Sequence, residues 1–84
     1  MKVWIISEGE YYAFKELLTG KTTEAAAIRV AEKLVAVKNE RKMEWCKTNN
    51  KTPEEYAYFF KQISELEWSN NVDFIQIEEI EIGL

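Results

Sequence analysis

The sequence predicts a two-layer α+β domain: a small antiparallel or mixed sheet of about three strands packed on two helices, in the order β-β-α-α-β. Three observations carry this expectation. The chain has 84 residues, 46% hydrophobic and 31% charged, a globular composition with room for one domain over residues 1–84. Short runs rich in β-branched residues stand at both ends. Between them lie two stretches whose apolar residues recur at helical spacing, each behind a capping signal. A chain of this size hides roughly 64% of its extended surface on folding, so its core is thin. Association extends such a core, and a homodimer or higher oligomer is expected.

Residues 2–7, rich in Val, Ile and Trp, read as a buried first strand, and Gly9 suits the turn after it. Residues 11–18 carry Tyr11, Phe14 and Leu18 at helical spacing, but two adjacent tyrosines after a turn favour a second strand. Thr22 or Thr23 caps the first helix, with Glu24 in its first turn, where the helix dipole favours a carboxylate. Ala27, Ile28, Ala31, Leu34 and Val35 form its apolar face. It runs at least to Lys38, and Asn39 either ends it or lets it continue to about Cys46. A second helix is expected from Thr52, with Pro53 in its first position and Glu55 closing a capping box. Its apolar face is Tyr56, Phe59, Phe60, Ile63 and Leu66, and residues 69–71 end it. Residues 72–84 read as a final strand with one phase slip. Ile75 and Ile77 share one face, whereas Ile80, Ile82 and Leu84 have the opposite parity. A bulge near Glu78-Glu79 would bring all five to one face.

Composition excludes several chemistries. There is no histidine and one cysteine, Cys46, which removes an internal disulfide, Ser-His-Asp and Cys-His catalysis, and the usual zinc ligand sets. No catalytic residue, metal or cofactor is expected. Leu18-Thr19-Gly20-Lys21-Thr22 is similar to the tail of a phosphate-binding loop, but Lys15 stands where the motif needs its first glycine. The apolar run near the N-terminus is too short for a signal peptide or a membrane helix. The expected compartment is the cytoplasm, with no membrane partner.

Charge is uneven. Residues 1–51 sum to +3 and residues 52–84 to −7, giving the net −4. Arg41 and Lys42 flank Trp45 in the basic part, and cations interleaved with an aromatic bind nucleotides through phosphate pairing plus stacking. With Tyr11, Tyr12 and Lys21, the last beside a helix N-terminus that attracts anions, they form a candidate ligand set. The plain alternative is a solvated helix face. Direct duplex DNA binding is not expected of an acidic chain with two arginines. Glu65, Glu67, Glu78, Glu79 and Glu81 make the last third acidic, and Tyr58 and Trp68 add aromatics of the kind enriched in interface centres. This set is the candidate surface for a basic protein partner.

The start Lys2-Val3-Trp4-Ile5-Ile6-Ser7-Glu8-Gly9-Glu10-Tyr11, the helix start Thr22-Thr23-Glu24-Ala25-Ala26 and the closing Ile77-Glu78-Glu79-Ile80-Glu81-Ile82 resemble a group of small phage- and prophage-encoded α+β proteins of unknown function. The resemblance covers about a third of the chain and brings no catalytic residues. It implies a phage or prophage origin and a compact ββα…β fold, not an activity; the expectations of a host-cell cytoplasmic location and a counter-defence role rest on it alone. The resulting expectation is a non-enzymatic protein that binds and inhibits a host factor, itself nucleic-acid-binding or defence-related, through the acidic and aromatic surface. The alternative is an oligomeric sponge that sequesters a nucleotide second messenger at Tyr11, Tyr12, Lys21, Arg41, Lys42 and Trp45.

Overall fold

Alternating apolar side chains at Trp4 and Ile6 set the first strand against a helix. In the computed structural model, which describes residues 1–55 and 58–83 apart from the side chain of Glu55, that strand is β1 (Lys2–Glu10). It is followed by β2 (Phe14–Lys21), α1 (Glu24–Thr48), a 3-10 turn (Pro53–Glu55), β3 (Lys61–Ser64), β4 (Glu67–Ser69) and β5 (Asp73–Glu81). The five strands form one antiparallel sheet in the order β2-β1-β5-β4-β3. The α+β class holds; the described residues form one α-helix instead of two and five strands instead of about three.

The first helix follows its sequence signals. Thr23 is the N-cap, and its hydroxyl accepts a hydrogen bond from the Ala26 N–H at 3.2 Å. Ala27 and Ala31 are fully buried, and Ile28, Leu34 and Val35 pack against the core. The helix does not stop at Asn39 but continues to Thr48, about 37 Å in all at 1.5 Å per residue. Asn39 is used instead as a clamp. Its Oδ1 accepts from the Phe60 N–H at 2.8 Å, and its Nδ2 donates to the Phe60 carbonyl at 3.2 Å. A side-chain amide thus does for this segment what a neighbouring strand would do.

The second helix is a correction. The capping signal at Thr52 and Pro53 produces only the single 3-10 turn Pro53–Glu55, and β3 and β4 occupy the expected helical span. Ile63, expected in the core, is exposed, whereas Trp68 is 4% exposed and packs beside Ile75, its partner in the ladder. Leu66 and Trp68 alternate with Glu67 and Ser69, so the same residues satisfy period two. Completing the sheet on the free side of β5 outweighs the local capping preference. Ser69 ends β4, and residues 70–72 form the turn to β5, where the buried Asn70 accepts from the N–H groups of Val72 and Asp73. Tyr56 and Leu84, assigned above to apolar faces, lie outside the described residues.

Three smaller corrections concern β1, β2 and β5. Gly9 is inside β1, not in a turn; a Cβ there would stand 2.1 Å from the Phe14 carbonyl oxygen. The turn is Glu10 to Ala13, closed by an Ala13 N–H to Glu10 carbonyl bond of 3.2 Å, so β2 starts at Phe14, which is exposed. The bulge expected at Glu78-Glu79 does not exist: β1 and β5 pair without interruption from Lys2↔Glu81 to Glu10↔Asp73. A register shift occurs instead between β1 and β2, opposite Ile6 and Ser7, and it lets Leu18 pack on the core. Ile75 and Ile77 therefore face α1, and Ile80 faces away from it.

The helix covers one face of the sheet. The molecule is drawn out, with extents of 54 × 26 × 19 Å and a radius of gyration of 14.5 Å, against about 12 Å for a compact chain of this length. No helix among the described residues is long and apolar enough to cross a membrane.

Candidate ligand groove

Positions 27, 31, 34, 38, 41 and 45 of α1 alternate steps of four and three, so they lie in one stripe along the helix. Ala27, Ala31 and Leu34 fill the first half and pack on the sheet. Lys38, Arg41 and Trp45 fill the second half. There the stripe faces Glu8 of β1, Asp73 of β5 and Phe60, the residue before β3, and a groove of about 330 Å³ opens, lined by Lys38, Arg41, Lys42, Trp45, Phe60 and Asp73. That volume lies at the low end of the range for small-molecule sites.

The lining combines three kinds of group. Lys38 donates to Glu8 at 3.0 Å, which neutralises one cation at the inner end. Lys42 sits 5.6 Å from the centre of the Phe60 ring, within cation–π range. Trp45 is 47% exposed. Arg41 is exposed and offers a forked guanidinium. Asp73 contributes a carboxylate, whose Oδ2 accepts from Asn70 Nδ2 at 3.4 Å. The floor is held from two sides, by the Asn39 clamp on Phe60 and by Asn70 Nδ2 donating to the Tyr58 carbonyl at 3.2 Å.

Of the six expected ligand residues, the groove unites Arg41, Lys42 and Trp45. Tyr11 and Tyr12 stand at the tip of the β1–β2 hairpin, beside a shallow cleft that includes Phe14 and Phe74. A second cleft, bounded by Glu8, Phe14, Lys38, Phe60 and Asp73, joins that hairpin end to the groove. Tyr11 packs on Phe74 with ring centres 5.2 Å apart. Tyr12 is fully exposed and holds a left-handed backbone, φ 64°, a conformation that costs a non-glycine residue about 1–2 kcal/mol. Lys21 is not among the groove residues. It lies at the opposite end of β2, paired with Trp4, in a separate depression with Arg29 and Lys33.

The expected acidic and aromatic partner surface is dispersed. Trp68 is in the core, and Tyr58 lies near Asn70 and Val72. Glu78 is engaged by Lys15 and Gln76, Glu79 by Lys2 at 2.9 Å, and Glu81 by the N-terminal ammonium at 3.2 Å. Glu65 and Glu67 lie at the β3–β4 hairpin. Glu67 lies opposite Gln76, diagonal to Glu78, and the charges of Glu78, Glu79 and Glu81 are balanced within the chain.

Sequence reasoning missed Lys38, Phe60 and Asp73. The four-three spacing that carries Lys38 into the stripe with Arg41 and Trp45 was legible locally. Phe60 and Asp73 reach the groove through strand pairing and the Asn39 clamp, which leave no local signal. Among the described residues, no group of three or more His, Cys, Asp or Glu side chains is placed to hold a metal ion. Compared with protein-family models, curated proteins and solved structures, the chain matches none.

Proposed function

We propose that this protein is a non-enzymatic binding protein whose groove under the second half of α1 takes a nucleotide-like ligand, an anion joined to a flat ring. The observation that carries this reading is the convergence of Arg41, Lys42 and a half-exposed Trp45 on one groove. The two cations suit phosphate oxygens, and the indole suits a base, a contact worth about 1–3 kcal/mol by alanine substitution. The Asp73 carboxylate accepts hydrogen bonds from an exocyclic amine or a ribose hydroxyl. It also repels phosphate, which favours a pose with the phosphates towards Arg41.

A thermal-shift panel of linear and cyclic nucleotides tests this. A ligand present at 100 times its dissociation constant adds about 2.7 kcal/mol. For a domain of this size that is a rise of about ten degrees or more. The rise should be lost in Arg41→Ala and Trp45→Ala. A flat panel, or a rise that survives both substitutions, contradicts the reading.

A second reading rests on Tyr12. A fully exposed tyrosine in a left-handed turn is a feature a folded chain does not need, and hairpin tips of this kind suit insertion into a protein cleft. In this reading the protein inhibits a host factor, in line with its resemblance to phage proteins. Tyr12→Gly should then leave the fold unchanged or slightly stabilised and abolish capture of that factor. Unchanged capture by the variant would remove the hairpin from the contact.

A further inference from the structure

The groove under α1 continues past its own lining in two directions. Past Lys38 lies a cleft of about 150 Å³ that shares Lys38, Phe60 and Asp73 with the groove and adds Glu8 and Glu10. Past Lys42 lies a cleft of about 310 Å³, nearly as large as the groove. It shares Lys42 and Asp73 with the groove and adds Tyr58, Asn70 and Val72. Charge separates the two directions. Lys38 is already paired with Glu8 at 3.0 Å, so the first cleft is acidic on balance and repels a phosphate. The second is entered past the Lys42 ammonium, and among the described residues its lining adds no acid to the shared Asp73. Groove and second cleft each reach only the low end of the range for small-molecule sites, and joined they fall well inside it. The second cleft also repeats the groove's offer of a flat apolar contact, with Tyr58 46% and Val72 45% exposed. Asn70 fixes both: its Nδ2 donates to the Tyr58 carbonyl at 3.2 Å, and its Oδ1 accepts from the Val72 N–H at 3.0 Å. The same amide donates to Asp73 Oδ2 and accepts from the Asp73 N–H, so its two donor and two acceptor positions are all used within the chain.

We propose that the ligand of this site is a dinucleotide, two nucleosides joined through phosphate, an inference that rests on the reading of the groove as a nucleotide site. One base lies on Trp45 in the groove and the other on Tyr58 and Val72 in the second cleft. The linking phosphate crosses the wall between them at Lys42, with Arg41 on the groove side. Asp73, which belongs to both clefts, accepts a hydrogen bond from a ribose hydroxyl. A mononucleotide fills the groove alone and leaves Tyr58 without a base. Because Asn70 has no hydrogen-bonding position left over, the second cleft holds its base by stacking, a contact that tolerates any base.

Calorimetric titration with ADP and with the 5′-phosphorylated linear dinucleotide pApA, which has a similar charge but a second nucleoside, tests this. Cyclic diadenosine monophosphate is titrated in parallel. One dinucleotide at least should bind about tenfold or more tighter than ADP, and which of the two does so tells a linear ligand from a cyclic one. Tyr58→Ala should remove that gain, while ADP, which does not reach Tyr58, binds as before and reports that the variant is folded. Val72→Glu, which sets a carboxylate in the second cleft, is an independent variant with the same expected result. Trp45→Ala should weaken ADP and the dinucleotide alike. ADP binding with no gain for either dinucleotide overturns the proposal and leaves the groove reading standing. A gain that survives both Tyr58→Ala and Val72→Glu also overturns it. Failure of ADP and both dinucleotides to bind removes the groove reading and the dinucleotide with it.

Discussion

Helix α1 presents one stripe to the sheet along its whole length, and the two halves of that stripe are made of different chemistry. In the first half, Ala27 and Ala31 are small enough to bring the backbone close to β1 and β5, and Leu34 fills the remaining gap. In the second half, Lys38, Arg41 and Trp45 cannot be buried without partners. The helix continues nonetheless, because its backbone bonds are internal and Asn39 fastens it to Phe60. The difference teaches how a thin domain makes a concave site. It continues the helix and changes the side chains of one stripe from groups packed on the sheet to groups that line a groove. The first half packs on the sheet, and the second half lines the groove proposed to take a ligand.

That division can be broken by substitution. The largest effect is expected from Ala31→Leu, which forces extra methylene groups into a fully buried position and should cost about 1–3 kcal/mol. Each kcal/mol lowers the melting temperature of a domain this size by about 4–8 °C. Thermal unfolding followed by circular dichroism checks this. Asn39→Ala comes next. It strands the Phe60 N–H and carbonyl together, at about 1–2 kcal/mol, and should also weaken ligand binding by loosening the groove floor. Melting and ligand titration of the same variant separate the two consequences. Thr23→Ala removes the helix cap and should cost about 1 kcal/mol, with ligand affinity unchanged because the cap is at the far end of α1. The smallest effect on stability, within about 0.5 kcal/mol, is expected for Arg41→Ala, an exposed side chain away from the core. A stability loss from Arg41→Ala as large as that from Ala31→Leu would erase the distinction between the halves.

The first helix was legible because its signals are local: Thr23 as cap and the spacing of Ala27, Ala31 and Leu34. Strand pairing was not. The span from Thr52 to Leu66 carries a sound helix start and apolar residues at helical intervals, yet Leu66 and Trp68 also alternate with polar neighbours. Pairing with β5 decides between the two periods, and pairing is a long-range term that the local sequence does not contain. The phase slip at Ile77–Ile80 suggests a bulge within a one-faced strand, but with the pairing uninterrupted it marks a strand that is apolar on both faces. Half of the candidate ligand set, Arg41, Lys42 and Trp45, was visible because it lies within one turn and a half of a single helix. Lys21 lies apart from them, at the far end of β2, because sequence distance does not reveal which end of a strand a residue occupies.

The groove itself is tested most directly by the indole N–H signals of the three tryptophans in ¹⁵N–¹H spectra during titration with a nucleoside triphosphate. Trp4 and Trp68 belong to the packed region, whereas Trp45 lines the groove. The account requires the Trp45 signal to move saturably, the Trp4 and Trp68 signals to stay in place, and the movement to vanish in Arg41→Ala. A Trp45 signal that stays fixed to millimolar nucleotide, or three signals that move together, would contradict it.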